Sequence, residues 1–284
     1  MTLETELRAL VEGRPGTWGV YARNLGTDET VAIDAEVVMP AQSALKTGVL
    51  VTYERQVSDG TADPDRRVTL APDDRALGSG VLRYLAPGLA PTLDDLAWLM
   101  ITVSDNVATR MLVRELGGAA AIDAEMDQLG LRSARTSDPV PGSSVEFSSS
   151  ARDLAELYTH LGPRSREILY RHQLLDLLPR HLPHVPDMVD HGLAAPVRVF
   201  GKAGWGACEL VDAGRFETDT AAWVVAAMAK DLPDLWHRPD DVGPRTLADI
   251  GSACFRAWGA DAGDWRQLSA TRRWTAALPT CTFL

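Results

Sequence analysis

Residues 3–11 are amphipathic, with apolar positions at helical spacing, and predict a first helix. Residues 17–25 (TWGVYARNL) are rich in β-branched and aromatic side chains and predict a strand. A turn at Gly26-Thr27-Asp28 and a second strand around residues 30–33 complete a hairpin. From residue 43 to about residue 180 helical periodicity dominates. Helices are expected over residues 44–56, 93–103, 107–116 (capped by Asp105 or Asn106), 120–129, 151–161 and 164–178. Strands return at 197–200, 209–216 and 220–229, and a last helix covers roughly 244–258. Strands drawn from both ends of the chain, with helices between, imply one sheet carrying a helical insertion.

Composition narrows the class. At 284 residues the chain can bury a substantial core in one or two domains, and 45% hydrophobic residues is ordinary for a globular protein. A formal net charge of −11 argues against nucleic acid or anionic membrane as partner, since both call for basic patches. The start, Met1-Thr2-Leu3-Glu4-Thr5-Glu6-Leu7, is acidic and shows no basic-then-apolar signal segment. No run approaches 18 apolar residues. Cys208, Cys254 and Cys281 are odd in number, widely spaced, and suggest no disulfide framework. These features favour the cytoplasm. They leave the oligomeric state open.

The candidate chemistry begins at Ser43-Ala44-Leu45-Lys46. On a helix, positions i and i+3 share a face, so the lysine amine reaches the serine hydroxyl. A serine at a helix start also sits by backbone N–H groups without intrahelical partners, which suit a developing oxyanion. Taken alone, the tetrapeptide reads more readily as a simple N-cap. Two further segments change its meaning. Ser104-Asp105-Asn106 follows 61 residues after Ser43, and Lys202-Ala203-Gly204 follows 98 residues after Ser104.

This order, with these intervals, resembles the class A β-lactamase and penicillin-binding-protein superfamily. Flanking segments extend the likeness: Gly78-Ser79-Gly80-Val81-Leu82, the run from Thr92 to Met100, and Val211-Asp212-Ala213-Gly214. A literal Lys-Thr-Gly at Lys46-Thr47-Gly48 lies too early to be the family's strand lysine; Lys202 is the better match, with Ala203 in place of the customary Thr or Ser. The resemblance implies an α/β fold: an antiparallel sheet flanked by helices (an α/β/α sandwich) joined to an all-α subdomain, with the site in the cleft between. On that basis residues 1–261 form the catalytic domain, its sheet part from about 1–42 and 194–261 and its helical part from about 43–193. Residues 262–284 are an extension too apolar (Trp265, Trp274, Leu278, Phe283, Leu284) for a disordered appendage; self-packing, an oligomer contact and a cover for the cleft stay open.

The resemblance also implies roles. Ser43 is the nucleophile, Lys46 its base, Ser104 a proton carrier to the leaving group, and Lys202 the charge that lowers the Lys46 pKa. Asn106 is expected to hold a substrate amide, and the N–H groups of Ser43 and Trp205 to form the oxyanion hole. Ala203, Gly204 and Trp205 line the substrate side, Trp205 as a wall or as mere packing. Arg215 is a candidate for a substrate carboxylate. The water-activating segment departs from the family's Glu-Pro-Glu-Leu-Asn. Here Thr136-Ser137-Asp138-Pro139-Val140-Pro141-Gly142 offers Asp138 as the nearest counterpart, with Glu146 second and expected to enter the next helix. A carboxylate set back by roughly 1.5 Å lowers the rate by about 10²-fold; as a turn residue before proline, Asp138 has a purely structural reading too.

His181, His184, Asp187, Asp190 and His191 cluster, but Pro183 and Pro186 break any helix that would set metal-ligand spacing, so no metal and no cofactor is expected. Cys208 reads as a core or strand residue. The expectation is a serine-dependent acyl hydrolase acting on a small-molecule ester, amide or lactam, with acylation intact and deacylation weakened. Two rivals remain: an acyltransferase or cyclase, and a non-catalytic binder on the same fold.

Overall fold

The structure is a computed structural model that describes residues 1–138, 142–175 (backbone alone from 171), 198–233 and 241–259. Eight helices and eight strands occur among them. Helix α1 (Leu3–Val11) leads into strands β1 (Thr17–Asn24), β2 (Thr30–Ile33) and β3 (Met39–Pro40). A 3-10 turn at Gln42–Leu45 runs straight into α2 (Lys46–Ser58), followed by α3 (Leu93–Thr102), α4 (Asn106–Glu115) and α5 (Ala119–Gln128). Then come β4 (Arg135–Thr136), β5 (Phe147–Ser149), α6 (Ala151–Leu157) and α7 (Pro163–Leu175). The chain closes with β6 (Arg198–Trp205), β7 (Leu210–Glu217), β8 (Ala222–Lys230) and α8 (Val242–Trp258).

Five strands form one antiparallel sheet in the order β2-β1-β8-β7-β6. Strand alternation divides its apolar side chains between two cores. Trp18, Val20, Ala22, Phe216, Trp223, Val225 and Ala227 pack with Leu3 and Leu7 of α1 and with Leu247, Ile250 and Cys254 of α8. Tyr21, Phe200, Val211, Ala213, Val224, Ala226 and Met228 face the other way, onto the helical layer. Because both faces are covered, these strands carry few polar positions. Burial raises the Cys254 thiol pKa, which fits a packing role.

Helix α2 is buried from Lys46 through Tyr53, so it is enclosed on all sides at the centre of the helical layer. Among its polar members, Thr52 donates to the Gly48 carbonyl one turn back, and Thr47 shares a hydrogen bond with the distant Tyr158. A second, small sheet in the order β3-β5-β4 joins the segment before Ser43 to the segment around residue 136. That sheet corrects one expectation. Glu146 does not enter a helix; it precedes strand β5, and α6 begins only after the Ser150 cap, whose side chain accepts from the Asp153 N–H. The expected strand at 197–200 also extends to Trp205, which places Lys202 inside β6. The 262–284 extension and the histidine cluster at 181–191 lie outside the described residues.

Candidate active site

Three elements converge on Ser43: the 3-10 turn that bears it, the loop before α4, and edge strand β6. Strand β6 closes on the turn because residue 204 is glycine. A Cβ there would stand 2.5 Å from the Ser43 nitrogen and 2.7 Å from that of Ala44. No side chain fits at that distance. On the other side of Ser43, Gln42 holds a left-handed φ of 50°, a conformation that costs energy in a non-glycine residue and that surrounding structure must impose.

Asp105 builds the loop before α4. Its buried carboxylate accepts from Val107 and Ala108 N–H groups (2.9 and 3.0 Å), capping α4, and from Val81 and Leu82 N–H groups (2.6 and 2.8 Å), tying down the loop 77–82. Gly80, at φ 111°, allows that approach, since a Cβ there would collide with Asp105. The cap holds Ser104 at a left-handed φ of 53° and turns its hydroxyl inward.

Lys46 meets this loop. Its Nζ donates to the Ser104 carbonyl and to Asn106 Oδ1, both at 2.7 Å, and lies 3.1 Å from Ser104 Oγ. Burial pushes the Lys46 pKa well below the ordinary lysine value. The charge of Lys202 lowers it further, and Asp105 opposes both. As an ammonium, Nζ donates to all three oxygens. As a neutral amine, it donates to the two carbonyl-type acceptors and keeps its lone pair for a hydroxyl. Lys202 is itself buried and donates to the Ala203 carbonyl at 2.9 Å.

A cleft of about 940 Å³ opens over these groups. Ser43, Lys46, Asn106 and the half-exposed Trp205 line it, with Ser79, Ser144 and Glu146. Ala203 and Gly204 are not among the lining residues; they act through a carbonyl and a close backbone approach. The structure gives three of the expected site residues protein partners of their own. The Asp138 carboxylate accepts from the Ala119 N–H at 2.9 Å, at the start of α5, and does not line the cleft; the helix's orphan N–H group draws it there. Arg215 donates to Glu217 at 2.7 Å on its own strand, and Glu217 also accepts from Arg166 of α7, which links that helix to the sheet. Burial alone would raise the Glu217 pKa, but the hydrogen bonds from Arg166 and Arg215 hold it below the usual range. The Asn106 amide group faces Leu77 O (2.8 Å) and Ser144 Oγ (3.0 Å), so both ends of this side chain are occupied by protein.

Arg110 and Ser137, which the sequence analysis gives no role, hold the segment that lines one side of the cleft. Arg110 of α4 donates to the carbonyls of Ser143 and Asp73, fastening the segment that carries Glu146. Ser137 and Glu146 pair through two hydrogen bonds of 2.8 and 2.9 Å that prolong the β4–β5 ladder. No local signal marks these partners, which lie 9 to 37 residues apart. Among the described residues, no group of three His, Cys, Asp or Glu side chains is arranged to hold a metal ion, and no helix is long and apolar enough to cross a membrane.

The family model described as the beta-lactamase enzyme family matches residues 2–258. A beta-lactamase of Streptomyces albus G is 31% identical over 184 residues, 58% of this chain and 58% of that protein. The chain thus spans about half the length of the curated relatives it matches. The solved structure of PBP-A is 28% identical with a TM-score of 0.74, covering 89% of this chain and 96% of that one. A beta-lactamase from Sphaerobacter thermophilus DSM 20745 is 25% identical with a TM-score of 0.73, covering 90% and 96%. With a family model matched along nearly its whole length and this fold in common with its relatives, the chain belongs to the beta-lactamase enzyme family.

Proposed function

We propose that the protein is a serine acyl hydrolase that forms an acyl-enzyme on Ser43 from an ester, amide or β-lactam and releases it slowly to water. The observation that carries this reading is the state of Lys46: buried, depressed in pKa by burial and by Lys202, three residues from Ser43, and lining the same cleft. In the first step neutral Lys46 takes the Ser43 proton as Oγ bonds to the substrate carbonyl carbon. The resulting oxyanion is held by the backbone N–H groups of Ser43 and Trp205. The proton then passes from Lys46 through Ser104 Oγ, 3.1 Å away, to the departing nitrogen or oxygen as its bond to carbon breaks. A mutant of the similar PBP-A is described as an acyl-enzyme complex with penicillin G, which supports acylation by a lactam here.

Slow release is supported by the place of Asp138 at the start of α5. It leaves Glu146, exposed at the cleft rim, as the carboxylate lining the cleft among the described residues. The same observation favours a second reading, transfer of the acyl group to an amine or alcohol. Residence in the cytoplasm is part of the proposal and is supported by the free thiols of Cys208 and Cys254. Rapid-mixing kinetics with a chromogenic ester test the reading. A burst of one leaving group per active site, followed by a slow steady rate, is expected; a linear trace with no burst at saturating ester overturns slow deacylation.

A further inference from the structure

The charge that the cleft offers to a substrate comes from Glu146. Among the described lining residues three are ionisable, Lys46, Arg135 and Glu146, and the charge of Lys202 is felt at Lys46. Lys46 is buried against three oxygens, and Lys202 lies beneath the surface on the Ala203 carbonyl. Arg135 donates to Asp127 Oδ1 at 2.8 Å and to the Ala134 carbonyl at 2.7 Å, both on its own side of the wall. Arg215, the cation that would meet a substrate carboxylate from the sheet, is held by Glu217. Ala203 brings no hydroxyl to that position. Glu146 is different. Its backbone is fixed by Ser137, while its exposed carboxylate makes no hydrogen bond or ion pair among the described residues. Apolar side chains share the cleft lining with it: Val38, Val145, Phe147 and Trp205.

We infer that the acyl substrate carries a protonated amine in place of a carboxylate, seated against Glu146, with an apolar spacer lying between Val38 and Trp205. For its chemistry this rests on the acyl-enzyme reading above. An overall charge of −11 works in the same direction, drawing cations toward the protein and repelling anions. A half-exposed ion pair is worth about three- to fivefold in affinity, and a like-charge contact costs a similar factor, so ammonium over carboxylate is expected to reach about tenfold.

The test uses three p-nitrophenyl esters with one aliphatic spacer ending in an ammonium, a methyl or a carboxylate group. Acylation rates are read from the burst, apart from deacylation, at low and high salt. The wild type is expected to prefer ammonium over methyl over carboxylate, with the spread narrowing at high salt. Glu146→Gln is expected to bring the three within about twofold, and Glu146→Lys to reverse the order. Calorimetry of the corresponding unreactive amides with Ser43→Ala protein reads the same preference without any acylation. If no ester acylates Ser43 but the ammonium amide binds best, the acyl-enzyme reading fails and this inference stands. Equal or better binding of the carboxylate amide, or an ammonium preference that survives Glu146→Gln, overturns the inference.

Discussion

Lys46 Nζ sits 2.7 Å from the side-chain oxygen of Asn106, sixty residues further along the chain, and this contact closes the buried end of the cleft. It ties the nucleophile's helix to the loop before α4 and leaves the lysine in an environment that disfavours its charge. The function proposed here turns on that environment.

Acylation is therefore expected to rise with pH and to level off well below the ordinary lysine range, because the neutral amine is the active form and its folded pKa is depressed. Replacing Lys202 by Met removes one of the two depressing influences and is expected to move the inflection upward. It does not restore the free-lysine value, because burial is the larger cause. The pH profile of the burst rate measures both. An inflection in the ordinary lysine range in the wild type would contradict the assignment of Lys46 as base.

Gly204→Ala is expected to lower acylation by about 10²-fold through displacement of the Ser43 backbone. Ground-state binding of a non-reacting amide is expected to change far less. A comparison of burst rate with calorimetric affinity separates the two; unchanged acylation would mean that the close approach of β6 does not position the nucleophile.

Asp105 organises four N–H groups, so Asp105→Ala leaves several buried donors without an acceptor. A loss of about 3 kcal/mol or more in unfolding free energy is expected, measured by urea denaturation. A loss under about 1 kcal/mol would show that water or a shifted loop replaces it.

Much of the architecture could be read from the residues, for an identifiable reason. Both sheet faces bury apolar side chains, so β8 is an almost continuous apolar run and β1 is rich in aromatic and β-branched residues, while α1 carries its cap and periodicity in its own sequence. Helix α4 likewise begins one residue after the Asp105 cap. The small β3-β5-β4 sheet was not legible, because strands of two or three residues are fixed by their pairing, from Met39 to Ser149 and from Arg135 to Ser148, rather than by their own pattern. In the site, the motif spacing brought Ser43, Lys46, Ser104 and Lys202 into consideration, and the structure places Lys46 against Ser104 and Asn106. What the spacing could not show is competition for each side chain. Asp138 and a helix terminus, and Arg215 and Glu217, are partners only because the fold brings them together.

Asp138→Ala tests one outcome of that competition. The variant is expected to lose about 1 kcal/mol of stability through the weakened start of α5. Deacylation of the Ser43 ester is expected to stay within about twofold of wild type. A loss of deacylation beyond about tenfold would return Asp138 to a water-activating role.

The central claim is a live nucleophile whose ester outlasts its formation, and intact-protein mass spectrometry with peptide mapping addresses it most directly. Protein incubated with a penicillin, a cephalosporin and an activated ester is expected to carry one acyl group on Ser43 that decays slowly, and the Ser43→Ala variant to carry none. An adduct that also forms on Ser43→Ala, or no adduct and no consumption of any of the three compounds, would contradict the account.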